Sequence, residues 1–371
     1  MIHVSLYPLS HTLYTSFVYA GLYDLAASKE IDLSLSYIPR MDIQERNGPY
    51  ESRNNNHIVF FKVTDRNRAD QRLIAVDLMD NWGISSLSAL EKCDIYFKRN
   101  YRRKEVQEHQ PRLCHKVLPF GLWFAIRSGN EKNWFTRRLL AGIASRQLFR
   151  KPRLEVTKLS EDLERDRGAS KTSKGWGYSL LRDIEIPADV PSEPKILFLT
   201  RAFDTDNKSP ELTHDLNEQR AALIRAFREH FGKQVLGGLM PTAAAQSRYP
   251  DLLSPIPTDR DSYFRLVREH AIVMSTMGLV ESIPGKIAEL LAASRCILSD
   301  PFQFELPYTL GDDVNALFFD SVDQAIEKAE SLVGDPARIR AMRAANAAFY
   351  ENHVSPMATM RRCIETALKR E

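Results

Sequence analysis

Two rhythms alternate along the chain. Short apolar or alternating runs of strand length give way to longer stretches with apolar residues on one helical face. In the first half, Ile2–Tyr7 reads as a strand and Thr12–Ser28 as a helix. Asp32–Ile38, His57–Val63, Arg72–Asp77, Cys93–Lys98 and Lys116–Leu118 read as further strands. Strands separated by helical stretches predict an α/β layer with a parallel sheet and crossover helices. The stretch 155–180 is charged and then rich in Gly, Ser and Lys, which predicts a surface helix and a loop. Three prolines in 186–194 mark a connector. The domain boundary is placed there, with a first domain over 1–190 and a second over 191–354.

The second half has the plainer rhythm. Lys195–Thr200, Val235–Leu239, Ala271–Ser275, Cys296–Ser299 and Ala316–Phe319 read as strands. Leu216–Phe231, Asp259–Glu269, Pro284–Ser294 and Ser321–Leu332 read as the helices between and after them. Such a βα alternation predicts a doubly wound sheet that binds ligands at the carboxyl ends of its strands. Helices over 335–352 and 355–369 close the chain.

Composition fits this picture. A chain of 371 residues, 43% hydrophobic and 27% charged, has room for two soluble globular domains. Cys93, Cys114, Cys296 and Cys363 form no CxxC pair, so reduced thiols in a cytoplasmic protein are expected rather than a disulfide framework or structural zinc. The N-terminus has no basic leader, and no run approaches the roughly 20 apolar residues of a membrane span. The net charge of +3 is uneven: residues 1–190 hold 30 Lys and Arg against 23 Asp and Glu, and residues 191–371 hold 21 against 25.

The densest chemistry lies in Ala271–Ser299, read as strand, glycine turn, loop, helix and strand. Gly278 permits a tight turn or a close backbone approach. Ser282 and Ile283 flank the start of the helix, and Pro284 suits its first position. Gly285 follows. Lys286 then falls in the first turn, where the helix dipole disfavours a cation unless an anion sits there as well. Glu289 shares its face at i+3 and offers a carboxylate to a ribose diol. The competing reading is an ordinary solvated Lys286–Glu289 pair, and spacing alone leaves the two open.

The segment resembles the donor-binding signature of GT-B glycosyltransferases, in particular the large retaining family that uses nucleotide sugars. Glu281 and Glu289 have the Glu-x7-Glu spacing of that family, and SIPGKIAELLA matches its S-x-P-x-K-x-x-E-x-L-A form. The stretch 306–336 is similar to the family's usual continuation. The resemblance implies two Rossmann-like domains facing a cleft, with helix 355–371 crossing back to the first. It implies a nucleotide-diphosphate sugar as donor substrate, no cofactor, and a glycan or lipid-linked acceptor in polysaccharide or glycoconjugate biosynthesis. Glu289 would anchor the ribose, Glu281 would orient the donor sugar, and Lys286 with Arg201 would stabilise the diphosphate. Lys208 lies seven residues beyond Arg201 and does not clearly match the family's second cation. No DxD metal motif occurs, so no metal site is expected.

In the first half, His11 and Asp80 each follow a strand and are candidates for acid–base work. The commoner roles there are a structural histidine and a turn-forming aspartate, and Asp77 would cap the same turn. Lys98–Lys116 carries seven cations against two glutamates, and Lys132–Arg153 seven against none. With Trp134, Phe135 and Phe149 between them, the stretch 98–153 fits either an anionic membrane surface or a solvated helix. Nucleic-acid binding is not expected. A nucleotide-sugar epimerase of the same architecture and a non-catalytic sugar-nucleotide-binding subunit are the rival functions.

Overall fold

The computed structural model of the chain describes residues 2–7, 14–35, 57–67, 70–130, 179–204 and 210–369. They fall into two compact units. Unit 1 takes Met1–Leu181, Glu305–Pro307 and Ser355–Glu371, and unit 2 takes Arg182–Phe304 and Tyr308–Val354. The division comes at residue 182 rather than 190. Ile184 and Ile186 are already buried, and the Ile186 N–H donates to the Ala292 carbonyl at 3.1 Å, which ties the proline-rich stretch into unit 2.

Unit 1 is built on β1 (Ile2–Tyr7), α1 (Ser16–Ala27), β2 (Asp32–Leu35), β3 (Ile58–Asp65), β4 (Asp70–Asp77), α2 (Leu87–Lys92), β5 (Ile95–Lys98), α3 (Arg103–His109) and β6 (Val117–Pro119). The six strands lie in the order β2-β1-β3-β4-β5-β6. The sheet is mixed, not wholly parallel: β3 runs antiparallel to both β1 and β4. Only residues 66–69 separate β3 from β4, too few for a crossover, so the pair folds as a hairpin. The carboxyl ends of β1, β2, β4, β5 and β6 and the amino end of β3 therefore share one edge. A two-residue strand β7 (Ile126–Arg127) pairs in parallel with β8 (Ser179–Leu180).

Unit 2 follows a one-turn helix α4 (Leu181–Ile184). Its elements are β9 (Glu193–Thr200), α5 (Pro210–Phe231), β10 (Val235–Leu239), α6 (Ala243–Arg248), α7 (Arg260–Glu269), β11 (His270–Ser275), α8 (Gly285–Ala292), β12 (Cys296–Ser299), β13 (Ala316–Phe318), α9 (Val322–Val333) and α10 (Pro336–Phe349). Its five strands are all parallel, in the order β10-β9-β11-β12-β13. Strand order reverses between β9 and β11, which puts the topological switch point, the usual ligand crevice of such sheets, beside their carboxyl ends.

The strands read as apolar runs because helices cover both faces. Ile196, Phe198, Ile272, Met274, Leu298 and Leu317 from the sheet pack with Ile224 and Phe227 of α5 in one core. Each such side chain stabilises the fold by about 1.5–3 kcal/mol. Side-chain caps set the helix starts. Asp259 accepts from Ser262 N–H at 3.0 Å ahead of α7, and Ser321 from Gln324 N–H at 3.2 Å ahead of α9.

The last helix, α11 (Pro356–Lys369), belongs to unit 1 and lies against α1. α1 is buried nearly all round. A Cβ on Gly21 would collide with Met360 Cγ at 2.6 Å and with the Pro356 carbonyl, so only glycine lets the two helices approach this closely. Arg361 holds Glu30 through two hydrogen bonds of 2.8 Å on the outside of this contact.

Candidate active site

The site in unit 2 is assembled where β9 and β11 end and α8 begins. Pro284 is the N-cap of α8 and Gly285 its first helical residue, so the helix starts one residue later than its sequence predicts. Pro284 is extended at ψ 141°, and its carbonyl accepts from Ile287 N–H at 3.1 Å to close the first turn. Lys286 becomes the second helical residue, in the turn whose backbone N–H groups point away from the helix.

The loop before it is tightly folded. Gly278 N–H donates to the Ser282 carbonyl at 2.8 Å, and Ser282 N–H to the Leu279 carbonyl at 3.1 Å. Gly278 has φ −88°, so no left-handed backbone demands glycine. Ser282 demands it, because a Cβ on Gly278 would meet Ser282 Oγ at 2.6 Å. Val280 (φ 51°) and Glu281 (φ 59°) are both left-handed, a strained conformation for a β-branched residue. Glu281 is exposed at the tip of this loop.

Lys286 is half-buried. Its Nζ donates to the Leu199 carbonyl at 2.5 Å and lies 5.2 Å from the Tyr263 ring centroid. Burial, opposed by Glu289 and aided by the Arg220 and Arg201 charges, holds its pKa down at about 8. Arg201 follows β9 with its guanidinium 4.4 Å above the Phe203 ring.

Glu289 is 8% exposed, and its Oε1 accepts from Arg260 Nη2 of α7 at 2.9 Å. It is therefore not half of a solvated pair with Lys286. Glu289 is buried and its ion pair is with another helix, while Lys286 points to the end of β9.

Several residues that complete this arrangement are not apparent in the sequence. Arg220 of α5, 4% exposed, donates from Nη1 to the Arg201 carbonyl at 2.6 Å, from Nη2 to the Met277 carbonyl at 2.7 Å and from Nε to Thr276 Oγ1 at 2.9 Å. One planar guanidinium thus joins the ends of β9 and β11. Burial lowers its pKa to about 9, with Asp300 opposing the shift and Arg201 adding to it. Asn217, one turn earlier, accepts from Phe203 N–H and donates to the Phe203 carbonyl, both at 2.9 Å. Asp300, just past β12, accepts from Met277 N–H at 3.1 Å and Gln219 Nε2 at 3.3 Å, and burial raises its pKa. The signal available in the sequence is that Asn217 and Arg220 share a stripe with the apolar Ala221, Ile224 and Phe227, where polar residues need a reason.

In unit 1, His11 lies outside the described residues, as does 132–153 of the basic stretch. Asp80 is engaged on both oxygens: Arg99 pairs with Oδ1, and Tyr14 OH donates to Oδ2 at 3.0 Å. Asp77 is fully buried and accepts from Met79 N–H, Ser85 N–H, Ser85 Oγ, Tyr96 OH and Lys98 Nζ at 2.7–3.1 Å. Lys98 and Arg99 are themselves buried, and Lys116 Nζ donates to the Cys93 carbonyl at 2.8 Å. Three of the cations in Lys98–Lys116 thus serve the fold rather than an outer surface. Among the described residues, no group of three or more His, Cys, Asp or Glu could hold a metal ion, and no helix is long and apolar enough to cross a membrane.

Residues 219–365 match the family model for glycosyl transferase-like domains. The matched stretch, most of it in unit 2, is similar to glycosyl transferase-like domains. The match starts inside α5 at Gln219, next to Arg220, and takes in β11, the Gly278 loop and α8. No curated protein sequence matches the chain significantly. Among solved structures, a glycosyltransferase from Rickettsia africae ESF-5 is similar with a TM-score of 0.38 and 12% identity, over 76% of this chain and 65% of that one. HepE from Anabaena, solved with UDP and glucose, is similar at 0.36 and 9%, over 74% and 86%. UDP-GlcNAc 2-epimerase from Neisseria meningitidis is similar at 0.36 and 14%, over 76% and 63%.

Proposed function

We propose that the chain transfers a sugar from a nucleotide-diphosphate donor bound in unit 2 to a glycan or lipid-linked acceptor. The observation that carries this reading is the crowding of Arg201, Arg220 and Lys286 at the start of α8. Glu289 and Asp300 offset part of their mutual repulsion, and an anion at the amino end of the helix would offset more. A diphosphate is such an anion. Arg201, Lys286 and the first-turn N–H groups of α8 would take up its charge as the glycosidic bond to the β-phosphate breaks. Arg220 holds the backbone that carries Arg201 and does not itself need to touch the donor.

Glu289 would bind the ribose hydroxyls, with Arg260 holding one carboxylate oxygen and orienting the other. Gly278, Ser282, Pro284 and Gly285 would shape the wall against the donor, and Glu281, at the tip of the strained loop, would orient the transferred sugar. Retention of configuration follows the resemblance described above, and no step is assigned to a metal or cofactor. Unit 1 would bind the acceptor. The part of 98–153 outside the described residues would provide any contact with an anionic membrane.

The test is incubation of the full chain with a panel of nucleotide sugars, with and without acceptor glycans. Release of nucleoside diphosphate with a new glycosidic product supports the proposal. Conversion of the donor sugar to its epimer without acceptor would assign the epimerase reaction instead, and an unchanged donor under all conditions would assign a binding role.

A further inference from the structure

α7 turns two side chains of one face to the charged pair of α8. Arg260 and Tyr263 stand at i and i+3, as Lys286 and Glu289 do on α8. Arg260 takes the carboxylate, and Tyr263 faces the ammonium, with Lys286 Nζ 5.2 Å from the ring centroid. The ring is held from behind by Phe264, which is 8% exposed and meets it edge to face with centroids 5.3 Å apart.

Lys286 is a cation in a place that disfavours one. Burial acts against its charge first, and Arg220 on α5 and Arg201 beyond β9 add to that, while Glu289 on its own helix opposes them. Glu289 Oε1 is already engaged by Arg260, and Lys286 Nζ donates to the Leu199 carbonyl at 2.5 Å. An aromatic face attracts an ammonium within about 6 Å through its ring quadrupole, and more strongly when water is excluded. Unlike a carboxylate, it carries no net charge, so it leaves the positive field of Lys286 uncancelled.

The hydroxyl of Tyr263 supplies none of this. It is buried and has no hydrogen-bond partner. Burial first and Glu289 next raise its pKa well above the ordinary value, with Arg260 opposing, so the phenol stays neutral. What Lys286 meets is the face of an uncharged ring.

We propose that Tyr263 is a positioning residue, whose ring face keeps the Lys286 side chain charged and aimed at the end of β9. That the held ammonium serves a donor diphosphate rests on the reading above; the hold itself does not.

The experiment is an NMR titration of the full chain from pH 6 to 10, without nucleotide, following the ε-carbons of 13C-labelled lysine. The Lys286 signal is the one missing from Lys286→Arg, and in wild type its midpoint should lie at about 8. Tyr263→Leu removes the ring and should move that midpoint about one pH unit to the acid side. Tyr263→Phe keeps the ring face and deletes an unpartnered atom, so the midpoint should stay in place while the melting temperature holds or rises. Nucleoside diphosphate affinity, measured separately by calorimetry, should fall more in Tyr263→Leu at pH 8 than at pH 6. The expected midpoints with no nucleotide bound by wild type would sink the donor reading and leave the hold standing. A midpoint that is unchanged or moves to the alkaline side in Tyr263→Leu would show that the ring only excludes water. A shift in Tyr263→Phe as large as that in Tyr263→Leu would assign the hold to the hydroxyl. Either result overturns the proposal.

Discussion

Glu289 Oε1 accepts a hydrogen bond from Arg260 Nη2 at 2.9 Å, and both side chains are largely withdrawn from solvent. A residue proposed to hold a ribose is thus also half of a structural ion pair between α8 and α7. Glu289→Ala would leave the Arg260 charge without its partner and should cost on the order of 2 kcal/mol of stability as well as nucleotide affinity. Glu289→Gln keeps an oxygen for Arg260 and removes the charge. Glu289→Gln should therefore keep a melting temperature closer to wild type than Glu289→Ala, while both lose at least about tenfold in nucleotide affinity. Calorimetric titration beside thermal unfolding separates the two effects. Equal stability of the two variants would show that the ion pair contributes nothing.

Arg220 acts through the loops it holds. Lysine cannot span the Arg201 carbonyl, the Met277 carbonyl and Thr276 Oγ1 together, so Arg220→Lys should lower kcat/KM for the donor about as far as Arg220→Met does. Steady-state kinetics on both variants checks this. Full activity in Arg220→Lys would mean that charge alone is needed.

Lys286 titrates near the working range, with its pKa held at about 8 by burial first and by its arginine neighbours next. A lysine is cationic below its pKa and neutral above it. Donor affinity should therefore fall as pH rises through about 8 to 9, and Lys286→Arg, which stays charged, should remove that limb. Donor KM measured from pH 6 to 10 in both proteins is the check. A limb that persists unchanged in Lys286→Arg would assign it to another group.

Gly278 and Ser282 are coupled by contact. Gly278→Ala drives a methyl group against Ser282 Oγ at 2.6 Å and should destabilise by about 1–3 kcal/mol. Ser282→Ala removes that oxygen, so Gly278→Ala/Ser282→Ala should recover part of the loss. A double-mutant cycle in melting temperature measures the coupling. Strictly additive losses would place the strain elsewhere.

Unit 2 was legible because its strands are buried on both faces and its helices have one apolar side, so period and length together marked nearly every element. Caps such as Asp259 and Ser321 fixed helix starts to within a residue. Unit 1 was less so. The strands β3 and β4 were visible, but their antiparallel pairing depends on the short connection 66–69, and the apolar pattern carries no direction.

At the site, Lys286, Glu289 and Gly278 stand in one contiguous segment and show themselves as out-of-place charge and a breaker. Their partners do not. Arg260 lies 29 residues from Glu289, and Arg220 reaches Met277 across 57. Lys98 read as part of a basic run and proved fully buried against Asp77, because local charge density does not reveal a partner 21 residues away.

The central claim is that α8 and the ends of β9 and β11 bind a nucleoside diphosphate. Its most direct test is thermal unfolding of wild type and Glu289→Gln with a panel of nucleoside diphosphates. One nucleotide should raise the wild-type melting temperature in a concentration-dependent way, and Glu289→Gln should lose that shift while remaining folded. No shift with any nucleotide, or an equal shift in the variant, would contradict the account.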